Sequence, residues 1–417
     1  MITEGYSTID EAIRAIADGK VVIVADEEDR ENEGDFVAAA EKVTPEMVNF
    51  MVKEGRGLFC VTILPELANR LQLPPASDSN SALQRTAFTV SVDAATCKTG
   101  ISAFERSETI QTILDTHSTP EDLARPGHVF PIVAQDGGIL RRAGHTEASV
   151  DLCRLAGLKP AGVLCEILDE DGRMARRDRL MELATKFNCP IITIEDLLRY
   201  RRRTERLVTR EASTNFPTSY GNFRIVSYDV RYEQQEPFAL VMGDLSKAEA
   251  PLVRMHSSCF TGDVLDSLRC ECGDQLRMAL ERIAAEGAGV LVYLPQEGRG
   301  IGLKNKLKAY ALQDEGMDTV DANIALGYRA DMRDYGIGIQ ILKDLGLQEI
   351  RLLTNNPKKV DAFIYYGYDL KVIDQLPIIA PANEHRESYL DTKRERLGHR
   401  LPPTKINPNT ASEPGKK

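Results

Sequence analysis

The 417-residue sequence is defined first by what it lacks. No apolar run approaches the roughly 18 residues that a membrane-spanning helix needs. The opening "MITEGYSTIDEAIR" has neither a basic nor an apolar leader region, so no signal peptide is read and a cytoplasmic setting without a membrane partner is expected. Positive charge is also short: 52 basic against 63 acidic side chains leave a formal net charge of -11, which argues against a general nucleic-acid binder. The eight cysteines include no dense framework of pairs, as expected for a chain kept reduced. Cys60, Cys97, Cys153, Cys165 and Cys189 are read as ordinary core or surface thiols. No internal repeat links the two halves.

What is present is a chain long enough for two cores. It is 42% hydrophobic and 28% charged, and two domains of about 200 residues each are the natural division. Strand and helix patterns alternate. "STIDEAIRAIADG" puts Ile9, Ile13 and Ile16 on one helical face, with Ser7 or Thr8 to cap it, and the apolar run Val21–Ala25 follows as a buried strand. "VTPEMVNFMVKEG" repeats the pattern, with Thr44 at the N-cap, Pro45 at the first helical position and Gly55 past the end. The alternation predicts an α/β (α+β) architecture: two domains, each a mixed sheet with flanking helices, over residues 1–200 and 207–400. Between them lie six arginines from Arg199 to Arg210, read as a solvated connector in preference to an anion-binding arm. The polar, Pro- and Asn-rich residues 401–417 are expected to be disordered.

In the first half, "DEEDRENEGD" places seven carboxylates in ten positions directly after a buried strand, where open α/β sheets hold their ligands. A solvated loop would also have this composition. Arg30 beside Glu31, however, pairs a phosphate-seeking cation with a hard-metal ligand, and Mg²⁺ needs only one or two protein carboxylates. His128 and His145 each follow a glycine. Arg125, Arg141 and Arg142, with a helix starting at Thr146, would make a phosphate cradle.

Five motifs in order, "DRENEGD", "TAFTVSVDA", "TGISAFERS", "RPGHVFP" and "RRAGHTE", resemble 3,4-dihydroxy-2-butanone 4-phosphate synthase over nearly all of residues 1–200. The resemblance implies conversion of ribulose 5-phosphate to 3,4-dihydroxy-2-butanone 4-phosphate and formate with Mg²⁺ or Mn²⁺. It implies Glu31 and His145 as metal ligands, and substrate contacts from Arg30, Glu31, Asp35, Arg142, Ala143, Gly144, His145, Thr146 and Glu166. His128 and Glu166 take the remaining essential positions. One departure is "SNSALQR", where the family often has an "NTD"-like element.

In the second half Cys259, Cys270 and Cys272 are one thiol short of a closed structural zinc site, although His256 lies three residues before the first. Three protein ligands plus water is the catalytic arrangement. The glycine-rich "PQEGRGIGL" follows the strand "VLVYL". It is neither a P-loop nor a dinucleotide fingerprint, but its N–H groups suit phosphate oxygens. Arg254, Arg299, Lys358 and Lys359 would give a basic pocket inside an acidic protein, as a polyphosphate requires.

"VRMHSSC", "RCECGDQL", "QEGRGIGL" and "LLTNNPKK" resemble GTP cyclohydrolase II over roughly residues 207–400. That resemblance implies opening of the guanine imidazole ring of GTP, releasing formate and pyrophosphate and leaving 2,5-diamino-6-ribosylamino-pyrimidinone 5′-phosphate. It implies Zn²⁺ on Cys259, Cys270 and Cys272, Asp331 as proton acceptor and Arg333 as nucleophile at the α-phosphate. A guanidinium stays protonated, so Arg333 is physically better suited to clamp a phosphate. GTP contacts are implied for Arg254, Met255, His256, Ser257, Ser258, Gln275, Glu297, Gly298, Arg299, Thr319, Thr354 and Lys359. Two departures stand out: "HSSC" for the usual "HSEC" at Ser258, and Pro295 for an arginine before "QEGRG". Both families are typically homodimeric.

These features point to a bifunctional enzyme of riboflavin biosynthesis. A chain with only the synthase half active, the second being impaired by Ser258 and Pro295, is the alternative. A zinc-bearing nucleic-acid module built on the arginine stretch is disfavoured by the net charge and the missing fourth ligand.

Overall fold

A computed structural model carries the chain. It describes residues 5–26, 30–82, 84–233, 236–328, 331, 333–365, 368–381, 383, 386–396 and 398–401. The expected disordered tail therefore lies, beyond residue 401, outside the described residues, as do Glu27, Glu28 and Asp29 of the acidic loop and the side chain of Lys358. The chain divides into two compact units between Thr204 and Glu205.

The first unit is built on strands β1 (Val22–Ala25), β2 (Gly34–Ala39), β3 (Cys60–Ile63), β4 (Val92–Ala94), β5 (Leu123–Val133), β6 (Gly162–Glu166) and β7 (Ile191–Thr193). They form one seven-stranded sheet in the order β4-β5-β3-β6-β2-β1-β7. β1 pairs parallel with β7 and β3 with β5, while β2 runs antiparallel to both β1 and β6, so the sheet is mixed. Every residue of β1, β2 and β3 is buried, because helices cover both faces. Ile23, Phe36, Val61 and Val163 face one core; Val22, Val24, Val37, Cys60 and Leu164 face the other, against the helices Ile9–Ala17 and His145–Leu155.

Thr8 caps the first helix in a capping box with Glu11. The second helix corrects one expectation. Gly55 is its last helical residue, and Arg56 takes the left-handed position with φ 70°. The glycine serves packing: a Cβ at position 55 would lie 3.0 Å from the Cys165 Sγ and 3.1 Å from the Glu166 carbonyl oxygen.

The arginine stretch is also corrected in part. Arg201 is fully buried, donating to an Asp151 carboxylate oxygen at 2.6 Å and to the Gly137 carbonyl at 2.8 Å. Arg206 and Arg210 belong to the second unit, where both pair with Asp344. Arg201 is thus an internal fastener, whereas Arg203, Arg206 and Arg210 stay exposed to solvent, as a solvated stretch would.

The second unit contains β8 (Val208–Thr218), β9 (Gly221–Val230), β10 (Phe238–Met242), β11 (Leu252–Ser257), β12 (Gly289–Leu294), β13 (Glu349–Leu353) and β14 (Lys371–Leu376). Their order is β14-β13-β11-β12-β10-β9-β8. Four strands, β14, β13, β11 and β12, run parallel, and the rest are antiparallel. β8 was not expected as a strand. Its residues are almost all exposed, so it carries no apolar alternation to read. Among the described residues no helix is long and apolar enough to cross a membrane.

Candidate active sites

In the first unit, β1 and β2 end at the acidic loop, and the helix His145–Leu155 starts beside them. Ligand atoms of Asp26, Glu31 and His145 lie within 4.8 Å of one another, and so do those of Glu33, Asp35 and His145. Arg30 donates to Glu31 at 2.6 Å and also to Asp26. The imidazole sits with Nε2 3.2 Å from the Val24 carbonyl and Nδ1 3.8 Å from Glu31.

Burial pushes the Asp35 carboxyl up to about 7, even against the opposing pull of His145. Burial alone would lower His145, but Asp35, Glu31 and the other carboxylates outweigh it and raise the ring to about 9. The Asp35 Oδ1 is buried without a hydrogen-bond partner. A divalent cation is the group that such a crowd of oxygens and one imidazole fits, relieving both the like-charge repulsion and the unsatisfied oxygen.

Glu166 lies directly opposite Asp35 on β6 and accepts from the Leu58 N–H at 2.7 Å. Arg142 donates to Glu147 at 2.7 Å and to the Gln84 carbonyl at 3.0 Å, so the divergent "SNSALQR" segment rests against it. The helix begins one residue earlier than expected, at His145. Its N-cap is Gly144, which offers no side-chain cap, and Thr146 is buried within its first turn. Arg125 is not part of the cradle; its guanidinium is spent on the carbonyls of Leu71, Pro120 and Leu123.

His128 is not brought to this cluster. It lies on β5, three strands from β2, a separation of roughly 14 Å at the usual strand spacing. There Asp93 grips it twice at 2.8 Å, through its backbone N–H and through Nδ1.

In the second unit the parallel strands β11, β12 and β13 end at a cavity enclosing about 1070 Å³ of non-atom space, open solvent at its mouth included. The Sγ atoms of Cys259, Cys270 and Cys272 all lie within 4.8 Å of one another, and Cys259 and Cys270 are 3.6 Å apart. Tetrahedral thiolate ligands at 2.3 Å from zinc are separated by about 3.8 Å, so the donor set fits that ion. Hydrogen bonds from Cys270 and Cys272, followed by the charge of Lys306, hold the Cys259 thiol far below its usual range.

Lys306 is the residue that the pattern "GLKNKLKAY" concealed. It is buried, and its Nζ reaches Cys259 Sγ at 3.1 Å, Thr261 Oγ1 at 2.8 Å and Glu297 Oε1 at 2.8 Å. Nothing in the sequence separates it from Lys304 and Lys308 except a two-residue step, which turns it to another helical face. Asp263 was likewise missed. It accepts from the Cys259 N–H and the Tyr293 hydroxyl and lies 3.1 Å from His256 Nε2, so it fixes the first ligand turn.

The other sequence candidates gather around the same cavity. Arg254, His256, Ser257, Ser258, Gln275, Glu297, Gly298, Arg299, Thr319, Arg333, Thr354 and Lys359 all line it. Gly298 and Arg299 both have φ 62°, a strained left-handed state for an arginine that turns the loop tightly at the cavity edge. Met255 takes part through its carbonyl, which accepts from the buried Lys359 Nζ at 2.6 Å. Asp331 pairs with Arg333 through contacts of 2.9 and 2.6 Å. Burial opposes its ionisation, but Arg333 prevails and holds it at about 2. Ser258 donates its N–H to the Leu294 carbonyl, and Pro295 is not among the cavity-lining residues.

The profile of the 3,4-dihydroxy-2-butanone 4-phosphate synthase family matches residues 10–200, and that of the GTP cyclohydrolase II family matches residues 209–377. Among curated proteins, "Riboflavin biosynthesis protein RibBA" of Bacillus mycoides (strain KBAB4) is 56% identical over 396 residues, 95% of this chain and 99% of the relative. The Bacillus cereus (strain ATCC 14579) protein of the same name matches to the same extent. Among solved structures, RibBX, a two-domain 3,4-dihydroxy-2-butanone 4-phosphate synthase from A. baumannii, is 36% identical. It covers 90% of this chain and 100% of its own, with a TM-score of 0.70.

Proposed function

We infer the division of labour that follows from one premise: the chain belongs to the bifunctional riboflavin-biosynthesis family that joins 3,4-dihydroxy-2-butanone 4-phosphate synthase to GTP cyclohydrolase II. It is a lyase on ribulose 5-phosphate and a hydrolase on GTP, each reaction releasing formate. The observation that carries the reading is the presence of two chemically distinct centres, a carboxylate–imidazole cluster in one unit and a three-thiol cluster in the other.

In the synthase half, Glu31 and His145 would hold Mg²⁺ or Mn²⁺, which when bound supplies polarisation of the substrate carbonyl and its neighbouring hydroxyl. Arg30, Arg142 and the N–H groups of Ala143, Gly144, His145 and Thr146 orient the sugar phosphate. Asp35, poised near neutrality, and Glu166 opposite it can each take and return a proton as the enediol forms. His128 fills the remaining acid–base role, with Asp93 fixing its ring. The distance of His128 from the cluster within one chain supports a homodimer in which a second copy completes the site.

In the cyclohydrolase half, Cys259, Cys270 and Cys272 would hold Zn²⁺, which when bound supplies a Lewis acid and an acidified water at the purine ring. Arg254, Arg299, Arg333 and Lys359 neutralise the triphosphate, and Thr319, Thr354 and Gln275 position it. Arg333 acts as a clamp: its pairing with an ionised Asp331 favours the permanently charged guanidinium over a nucleophile. Ser258 contributes its backbone at the cavity wall, where the family's glutamate is absent. The small phosphorylated substrates of both reactions support a cytoplasmic setting.

The test is to follow formate release from ribulose 5-phosphate and from GTP, in separate reactions with the purified chain. Both substrates should release it. Formate from the sugar phosphate alone would overturn the cyclohydrolase assignment.

A further inference from the structure

We propose that the C-terminal segment closes the cyclohydrolase cavity as a clasp, and that His399, which it carries, contacts the triphosphate of the substrate. The proposal rests on the GTP reading above and adds a residue that no motif in the sequence marks. The segment begins at the end of β14 and includes the helix Glu387–Glu395.

The clasp is fastened at both ends. Arg386, almost wholly buried, donates to Asp274 at 2.6 Å, to the Cys270 carbonyl at 3.2 Å and to the Pro381 carbonyl at 2.6 Å. Lys393, also buried, reaches Glu271 at 2.9 Å, and Glu271 stands between two of the three thiols with only 1% of its surface exposed. Past the helix, Gly398 takes φ 67°, and the Arg400 N–H bonds to the Asn355 carbonyl at 2.9 Å, at the end of β13. One segment thus ties the thiol loop to the strand end that carries Thr354. Buried ion pairs that span separate loops specify one geometry more than they stabilise it.

His399 lies between these fastenings, with its backbone N–H on the Lys393 carbonyl, and lines the same cavity as Arg299, Arg333, Thr354 and Lys359. Burial, then the charges of Lys393, Arg333, Arg299 and Lys359, keep the ring neutral by lowering it to about 2. Glu271 pairs with Lys393 and Asp331 with Arg333, yet the field at the ring remains positive. A triphosphate entering the cavity reverses it. Its oxygens then face an imidazole that gains a donor by taking up a proton, while still fitting where a fifth fixed cation would be repelled in the empty site.

The experiment uses the full-length, zinc-loaded chain and calorimetry with three probes: GTP, inorganic tripolyphosphate and guanosine. His399→Phe should bind GTP and tripolyphosphate at least 10-fold more weakly and guanosine as tightly as the wild type. It should keep its zinc and its activity on ribulose 5-phosphate. Binding enthalpies measured in buffers of different ionisation heat should show proton uptake with tripolyphosphate for the wild type and less for the variant. His399→Gln, which keeps a hydrogen-bonding group but does not titrate, should retain part of the affinity and lose the extra proton uptake. Unchanged tripolyphosphate affinity, an equal loss for guanosine, or loss of zinc in both variants would each overturn the proposal. Formate release from GTP by the wild type is measured alongside. Its absence would refute the cyclohydrolase reading, whereas the tripolyphosphate result judges the clasp independently.

Discussion

The pair Arg201–Asp151 offers the sharpest test of the energetic reasoning. Both side chains are fully buried and 2.6 Å apart, and each has further partners. Asp151 also accepts from the Ile139 N–H at 2.9 Å and from Arg154 at 2.5 Å, and Arg201 also donates to the Gly137 carbonyl at 2.8 Å. Removing one partner of a buried pair typically costs about 3–5 kcal/mol, because the survivor is left charged and desolvated. Asp151→Leu should fall within that range, since it removes the buried carboxylate that faces the guanidinium. Arg201→Met should fall at the lower end, because Asp151 keeps two donors. At roughly 2–4 °C per kcal/mol for a unit of this size, the first unit should lose on the order of 10 °C of thermal stability. The double variant Arg201→Met/Asp151→Leu should recover most of the loss, since an apolar replacement of a buried pair is often neutral. Residual activity after heating separates the units: the ribulose 5-phosphate reaction should fail first while the GTP reaction survives. A double variant as unstable as Asp151→Leu, or single variants within 1 °C of the wild type, would refute the argument.

Other outcomes follow from the two sites. Cys270→Ser should abolish the GTP reaction and remove one zinc per chain by elemental analysis, leaving the sugar-phosphate reaction intact; loss of both activities would contradict separate centres. Gly57→Ala places a Cβ 2.5 Å from the Glu166 carbonyl oxygen and 2.7 Å from its Oε2, so it should cost about 1–3 kcal/mol and depress only the synthase kcat. Lys306→Met withdraws the cation from Cys259 and Glu297, and should lower the GTP rate by at least 10-fold in steady-state assays without affecting formate release from ribulose 5-phosphate. Arg333 lowers the Asp331 carboxyl from its ordinary value to about 2. A depressed carboxyl stabilises the fold above its unfolded-state value and loses that contribution as pH falls through the folded one. The stability difference between wild type and Arg333→Met, measured by denaturant unfolding, should therefore be about 2 kcal/mol near neutrality and vanish as pH falls towards 2; a difference constant down to pH 2 would contradict the pairing.

The local chemistry of this protein was written in its sequence. Capping residues, apolar periodicity and the turn from strand to acidic or glycine-rich loop located most helices and strands. The three thiols, Glu31, His145 and Arg30 were legible because their spacing and neighbours already imply a cation or an anion. The exposed strand β8 was not, because a strand that buries no face has no period to detect. Arg201 misled for a related reason: a charge run reads as solvated until a buried carboxylate such as Asp151 is folded against one of its members. Lys306, Asp263 and His399 were silent because each works through a partner distant in the chain or through one turn of backbone. His128 shows the converse, a residue recognisable by its motif yet set three strands from the cluster it was grouped with. The sequence by itself determined which chemistries are available, since side-chain type and local spacing are properties of the chain. Only the tertiary structure decided which groups share a dielectric and a field, because burial and through-space distance arise only once the sheets close.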